Sequence, residues 1–169
     1  IIQINSLLCI KNMNKKVKDI YILSRINGIG PSSLQKIITA GYDSINALSS
    51  DCSAEDLRQY IKGKNQSNAI DVILNHCEEH LEKSEIEFQE LSKLDITIYS
   101  KWDIDYPMGY KLLGNKAPLF IYTKGNSKLL NYKDSIAIVG SRECTDIGKE
   151  VASSTSKVFA KADYNIVSG

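Results

Sequence analysis

Before Leu91, apolar residues recur at helical spacing. Val17, Ile20, Tyr21 and Ser24 share one face of a helix that ends near Ile26. A second helix starts after Pro31, a residue suited to the first turn, and carries Leu34, Ile37 and Ile38 at i, i+3, i+4 spacing until Gly41 stops it. Asp43 is placed to cap a short helix through Leu48. Ser53 and Asp56 form the ends of a capping-box pattern for "AEDLRQYI", with aspartate in place of the usual Glu or Gln. The periodicity then predicts one long helix from Gln66 to Leu91, with Ile70, Ile73, Leu74, Cys77 and Leu81 on its inner face.

Past Leu91 the pattern changes to short β-rich runs, "ITIYS" (Ile96–Ser100) and "PLFIYTKG" (Pro118–Gly125), with loops and a short helix between them. "SIAIVG" is a nearly continuous apolar run, as expected of a parallel strand buried on both faces. Thr145 to Lys161 reads as a helix with Val151, Thr155, Val158, Phe159 and Ala162 on one side, and "NIVSG" as the next strand. The fold class expected is α/β, with an all-α domain over residues 1–92 and the first part of a parallel-sheet domain over 93–169. The chain starts at Ile1 and stops where a second parallel strand reaches its edge, so we expect a fragment of a longer protein. The apolar strand edges then predict poor solubility in isolation.

Composition adds little. The chain has 169 residues, 43% hydrophobic and 24% charged, with a net charge of +1, so any anion site has to be local. The cysteines at 9, 52, 77 and 144 lie far apart without a C-x-x-C pair, which points to reduced thiols in a cytoplasmic protein rather than disulfides or zinc. No stretch reaches membrane-spanning length, and the opening residues lack the marks of a signal peptide.

Two stretches carry candidate chemistry. In "INGIGPSSL", Gly28 and Gly30 flank Ile29 between two helices, similar to a helix-hairpin-helix turn with Asn27 where proline is common. Such a turn uses glycine for positive φ, and its amides suit a phosphate oxygen. Only Lys36 adds positive charge nearby. The same residues serve equally as a packing element or a protein-binding surface, and both readings stand. In "SIAIVGSRECTDIG", a strand runs into a loop and then a helix. Gly140 leaves room for a turn and a ligand, Ser141 offers a hydroxyl and an amide, Thr145 is placed as helix N-cap, and Gly148 permits close packing. Arg142 supplies a permanently charged fork suited to phosphate, unless Asp105, Glu143 or Asp146 holds it in an ion pair. A dinucleotide cofactor is disfavoured, because this bulky arginine replaces the small residues of the usual fingerprint, and no cofactor is expected.

Taken together, "DYPMGYKLL", "APLFIYTKG", "IAIVGSRECTDIGKEVA" and "NIVSG" resemble the DNA-processing protein A family (DprA, also called Smf) in order and spacing. The resemblance implies an extended Rossmann-like domain behind an N-terminal helix-hairpin-helix or SAM-like domain. It implies non-specific binding of single-stranded DNA, loading of the RecA recombinase on incoming DNA in natural transformation, a homodimer, no enzymatic activity and no membrane. The family's G-S-R loop falls on Gly140, Ser141 and Arg142, its following Thr and Gly on Thr145 and Gly148, and its later S-G on Ser168 and Gly169. Ile147 stands where the family often has an aromatic, and Asp163 where a turn glycine is common. A single strand offers repeated phosphates without fixed base edges, so amides plus one arginine would grip it without sequence preference.

The alternatives are a nucleoside-monophosphate phosphoribohydrolase, which would need a catalytic Arg and Glu pair not found here, and a DprA-like sensor of DNA or a nucleotide. His76 and His80 have metal-compatible spacing, but "HCEEH" lacks the H-E-x-x-H glutamate placement, so no metal is expected. Trp102, Tyr106 and Pro107 suit packing better than base stacking. The run from Lys11 to Asp19 suits a solvated helix start, with added DNA-backbone affinity as the alternative.

Overall fold

The computed structural model describes residues 15–169. Among them are eight α-helices and two small sheets, a mixed α/β organisation. By packing they form two compact units, residues 15–106 with 110–125, and residues 107–109 with 126–169.

The first unit opens with α1 (Lys15–Ser24), whose Val17, Ile20, Tyr21, Ile22 and Leu23 are buried. Helix α2 (Pro31–Thr39) buries Leu34 and Ile37. Two short helices, α3 (Ile45–Asp51) and α4 (Ala54–Tyr60), bury Ile45, Leu48 and Leu57. The cap of α3 is Ser44, one residue later than the aspartate the pattern suggested: its side chain accepts from the Ala47 amide at 3.3 Å. The capping box before α4 forms as the sequence predicts, with Asp56 Oδ2 accepting from the Ser53 amide at 2.9 Å. The single long helix expected after Gln66 is two helices, α5 (Gln66–Asn75) and α6 (Cys77–Lys93). The chain kinks at His76, with φ −128° and ψ 25°. No Gly or Pro marks that kink, and the inner stripe runs through it, so sequence periodicity could not reveal it. The strand run continues as β1 (Ile96–Ser100), a short helix α7 (Met108–Lys111) and β2 (Phe120–Lys124).

Strands β1 and β2 pair antiparallel, Ile96 opposite Lys124 and Ser100 opposite Phe120. One core joins the helices, and Trp102, Leu119 and Phe120 pack against it. A smaller cluster of Val17, Tyr21, Phe88 and Ile98 fastens β1 to α1 and α6, with the Tyr21 and Phe88 rings 5.4 Å apart. Arg25 bridges to Glu87 at 2.9 Å and lies over the Tyr21 ring. Burial and the Glu87 hydrogen bond push the Tyr21 phenol well above its ordinary range. Tyr106 is 2% exposed and donates to the Pro118 carbonyl at 2.5 Å. Trp102 and Tyr106 are thus packing residues.

The turn between α1 and α2 decides how the helices meet. Gly28 has φ +110°, and a Cβ built on it would lie 2.5 Å from the Asn65 carbonyl oxygen. Ile29, 6% exposed, enters the helical core as the sequence suggests. Asn65 Nδ2 donates to Asn27 Oδ1 at 2.8 Å, and Asn68 Nδ2 donates to the Asn27 carbonyl at 3.1 Å.

In the second unit, β3 (Ser135–Ala137) and β4 (Asn165–Val167) pair in parallel, joined by α8 (Asp146–Lys161). The left-handed turn expected at Asp163 is present, with φ 64°, and Tyr132 donates to its Oδ2 at 2.8 Å, which raises the Tyr132 phenol. Strand β3 is shorter than the "SIAIVG" run and is not covered on both faces, because one neighbouring strand and one helix are all that pack on it among the described residues. The inward stripe of α8 also differs from the expected one. Ala152, Thr155, Ser156 and Phe159 are partly covered, whereas Val151 and Val158 are 57% and 65% exposed.

Two consequences are measurable. Gly28→Ala combines a disfavoured φ with a backbone collision and is expected to cost about 2–4 kcal/mol, read as a lowered denaturation midpoint. The Ser53 hydrogen bonds hold the Asp56 carboxyl below its ordinary range. Its contribution to stability is therefore present above the ordinary carboxylate pKa and disappears as pH falls through the lowered folded value. Asp56→Asn should reduce Tm at neutral pH, with the difference from the parent vanishing in acid.

Candidate phosphate-binding loop

The parallel pair fixes where the loop begins. Ala137 stands opposite Val167, and the Ile138 amide donates to the Val167 carbonyl at 2.9 Å. Val139 and Gly140 therefore leave the sheet at the same C-terminal edge as Ser168 and Gly169. Parallel sheets present their ligand crevices at this edge.

The loop ends in a capped helix. Thr145 has an extended backbone, φ −67° and ψ 162°, and its Oγ1 accepts from the Gly148 amide at 3.1 Å. A Cβ on Gly148 would come 3.4 Å from that same Oγ1, so glycine here keeps the cap uncrowded. Gly140 does not adopt a positive φ, and nothing lies within 4 Å of where its Cβ would be. Its lack of a side chain leaves open space beside the loop rather than enabling a left-handed turn.

Electrostatically the loop is unfilled. Arg142 is exposed and makes no ion pair or hydrogen bond among the described residues. Of the acids that might have held it, Asp146 pairs with Lys149 at 3.0 Å. The amides of Gly140, Ser141 and Arg142 likewise donate to no protein acceptor among the described residues. Three unpaired amides and an unpaired guanidinium on one short loop are donors in search of an acceptor, and a phosphate or other oxyanion meets that need. The exposed Cys144 thiol and Ile147 side chain border the same loop. Sequence reasoning named the loop's polar residues; it did not anticipate that Ile147 would be 75% exposed.

The other candidates fall elsewhere. Gly28, Ile29 and Gly30 are engaged in packing: Gly28 meets Asn65, Ile29 is buried, and its amide donates to the Ile26 carbonyl at 3.0 Å. His80 Nε2 lies 3.0 Å from the Ile22 carbonyl, while His76 sits 3.5 Å from Asp71, so the two imidazoles have different partners. Among the described residues no group of three His, Cys, Asp or Glu is placed to hold a metal, and no helix is long and apolar enough to cross a membrane. Of the basic run, Lys11 to Asn14 lie outside the described residues, and Lys18 is paired with Glu85.

A family model described as DNA recombination-mediator protein A matches residues 97–169, which contain the whole loop and both parallel strands. The match begins within β1, so the β1–β2 hairpin belongs to the matched segment by sequence and to the helical unit by packing. No curated protein and no solved structure matches the chain.

Removing the cap hydroxyl tests whether the loop and helix are coupled. Thr145→Val is expected to cost about 1 kcal/mol, seen as a lower thermal midpoint followed by helical circular dichroism.

Proposed function

With residues 97–169 belonging to the DNA recombination-mediator protein A family, we propose that the protein acts in DNA processing and recombination by binding single-stranded DNA without sequence preference. Gly140, Ser141 and Arg142 contact the phosphates, Thr145 and Gly148 hold the loop on the helix N-terminus, and Ser168 and Gly169 complete the same edge. The observation that carries this reading is the loop itself: an unpaired Arg142 beside three unpaired amides, at the C-terminal edge of a parallel pair. Each charged contact to phosphate contributes about 1.5–3 kcal/mol, enough for one arginine to change affinity measurably.

The remaining parts of the proposal rest on the family. The protein works as a homodimer in the cytoplasm, delivers bound strands to the RecA recombinase during natural transformation, and catalyses no reaction. Its N-terminal helices form the helix-hairpin-helix domain and its parallel pair the start of a Rossmann-like sheet.

Arg142→Ala should weaken binding to a mixed-sequence single-stranded oligonucleotide by roughly tenfold or more and by similar factors for any base composition. It should also flatten the dependence of log K on log salt by about 0.7, the value for one phosphate contact on a single strand. Fluorescence anisotropy at two salt concentrations gives both numbers. Unchanged affinity in the folded variant would sink the assignment of the loop. Competition by a free mononucleotide but not by the oligonucleotide would move the site to nucleotide sensing.

A further inference from the structure

The turn at Gly28–Gly30 lies in a segment poor in charge: from Ile26 to Tyr42 the only charged side chain is Lys36. Folding changes that picture. The Asn65 carbonyl seats against Gly28, and Asn65 and Asn68 both hydrogen-bond to Asn27. A second turn, Ile61 to Gln66, is thereby held against the first. Gln66 closes that second turn, its amide donating to the Gly63 carbonyl at 3.2 Å and its Nε2 to the Ile61 carbonyl at 2.6 Å. At its tip Gly63 has φ +112° with open space where a Cβ would stand, and the exposed Lys62 and Lys64 flank it.

Both segments lack carboxylates. From Leu57 to Ile70 there are Arg58, Lys62 and Lys64 and no Asp or Glu. Arg58 is engaged by Glu55 at 2.9 Å, but the side chains of Lys36, Lys62 and Lys64 make no ion pair or hydrogen bond among the described residues. The contrast with α6 is sharp: Glu78, Glu79, Glu82, Glu85, Glu87 and Glu90 all lie on that helix. Charge in the helical unit is therefore segregated, although the chain as a whole is nearly neutral. Around the two lysines the exposed surface is made of amides and hydroxyls, from Asn65, Ser67 and Asn68. A polyanion whose charges repeat along a flexible chain fits such a surface: ammonium groups neutralise phosphates, and neutral donors add contacts without selecting bases.

We propose that the paired turns form a second, sequence-indifferent contact for a single-stranded nucleic-acid backbone, with Lys62 and Lys64 supplying the charge that the Gly28–Gly30 turn lacks. This contact rests on the DNA-binding reading above, but uses none of the loop's residues.

The test is anisotropy titration of the full chain carrying Lys62→Glu and Lys64→Glu, with a mixed-sequence single-stranded oligonucleotide at two salt concentrations. Beside it stand Lys62→Gln with Lys64→Gln, a control pair Lys116→Glu with Lys124→Glu, and Arg142→Ala, each checked for folding by circular dichroism. Losing two phosphate contacts should reduce the salt slope by about 1.4 in the glutamine pair. The glutamate pair should lose at least tenfold in affinity, and more than the control pair. An equal loss from the control pair would mean that net charge alone matters, and would overturn the contact. Unchanged affinity in the glutamate pair, with Arg142→Ala weakened, would also overturn it, keep the loop, and leave the lysines to an acidic protein surface. The converse, loss in the lysine variants with Arg142→Ala unaffected, would support the paired turns and reject the loop. A parent chain with no salt-sensitive binding would reject both.

Discussion

At Gly28 the backbone turns through φ +110°, and the carbonyl of Asn65 occupies the place where any side chain would begin. The helical unit is organised around this close approach. It lets α1 and α2 meet at a tight turn, drops Ile29 into the core between Ile26 and Leu34, and brings the start of α5 against a turn far away in sequence. Asn27 then satisfies side-chain amides from both Asn65 and Asn68, so polar groups at a crowded junction are paired rather than stranded. A turn of this kind is first a packing device. Contact with a ligand comes from what the packing carries to its flank.

The second unit follows a different logic. It has no buried residue among those described, and what holds it are directional contacts: the parallel ladder of β3 and β4, the Thr145 cap, and the Tyr132–Asp163 bond. Such contacts define positions without filling a core. The outcome is a loop whose ends are fixed by strand and cap while its donors, Arg142 and the amides before it, remain unpaired. Preorganised, unsatisfied donors bind an oxyanion at low entropic cost, because the protein has little left to order.

Some of this was legible in the residues. Ser53 and Asp56, Pro31, Gly41 and Thr145 act over three or four positions, and local backbone hydrogen bonding decides their roles; each stands where its pattern placed it. The kink at His76 was not legible, because the apolar stripe passes through it unbroken. Nor was the choice of Ser44 over Asp43 as cap, since both side chains can accept the same amide and only the helix start distinguishes them. On α8 two apolar stripes compete, and the sheet covers the one with Ala152 and Phe159 rather than the one with Val151 and Val158.

For the candidate sites the division is similar. Sequence alone determined that Gly140, Ser141 and Arg142 follow a strand and precede a capped helix, since strand, loop and cap are local patterns. Whether Arg142 would be neutralised by a nearby acid depended on side-chain reach, and only the folded loop left it free. The charge beside Gly28 shows the limit most clearly. Lys62 and Lys64 lie more than thirty residues from that turn, and nothing in their spacing relates them to it. Tertiary structure made them neighbours of the turn, because one carbonyl can approach a backbone only where a side chain is missing.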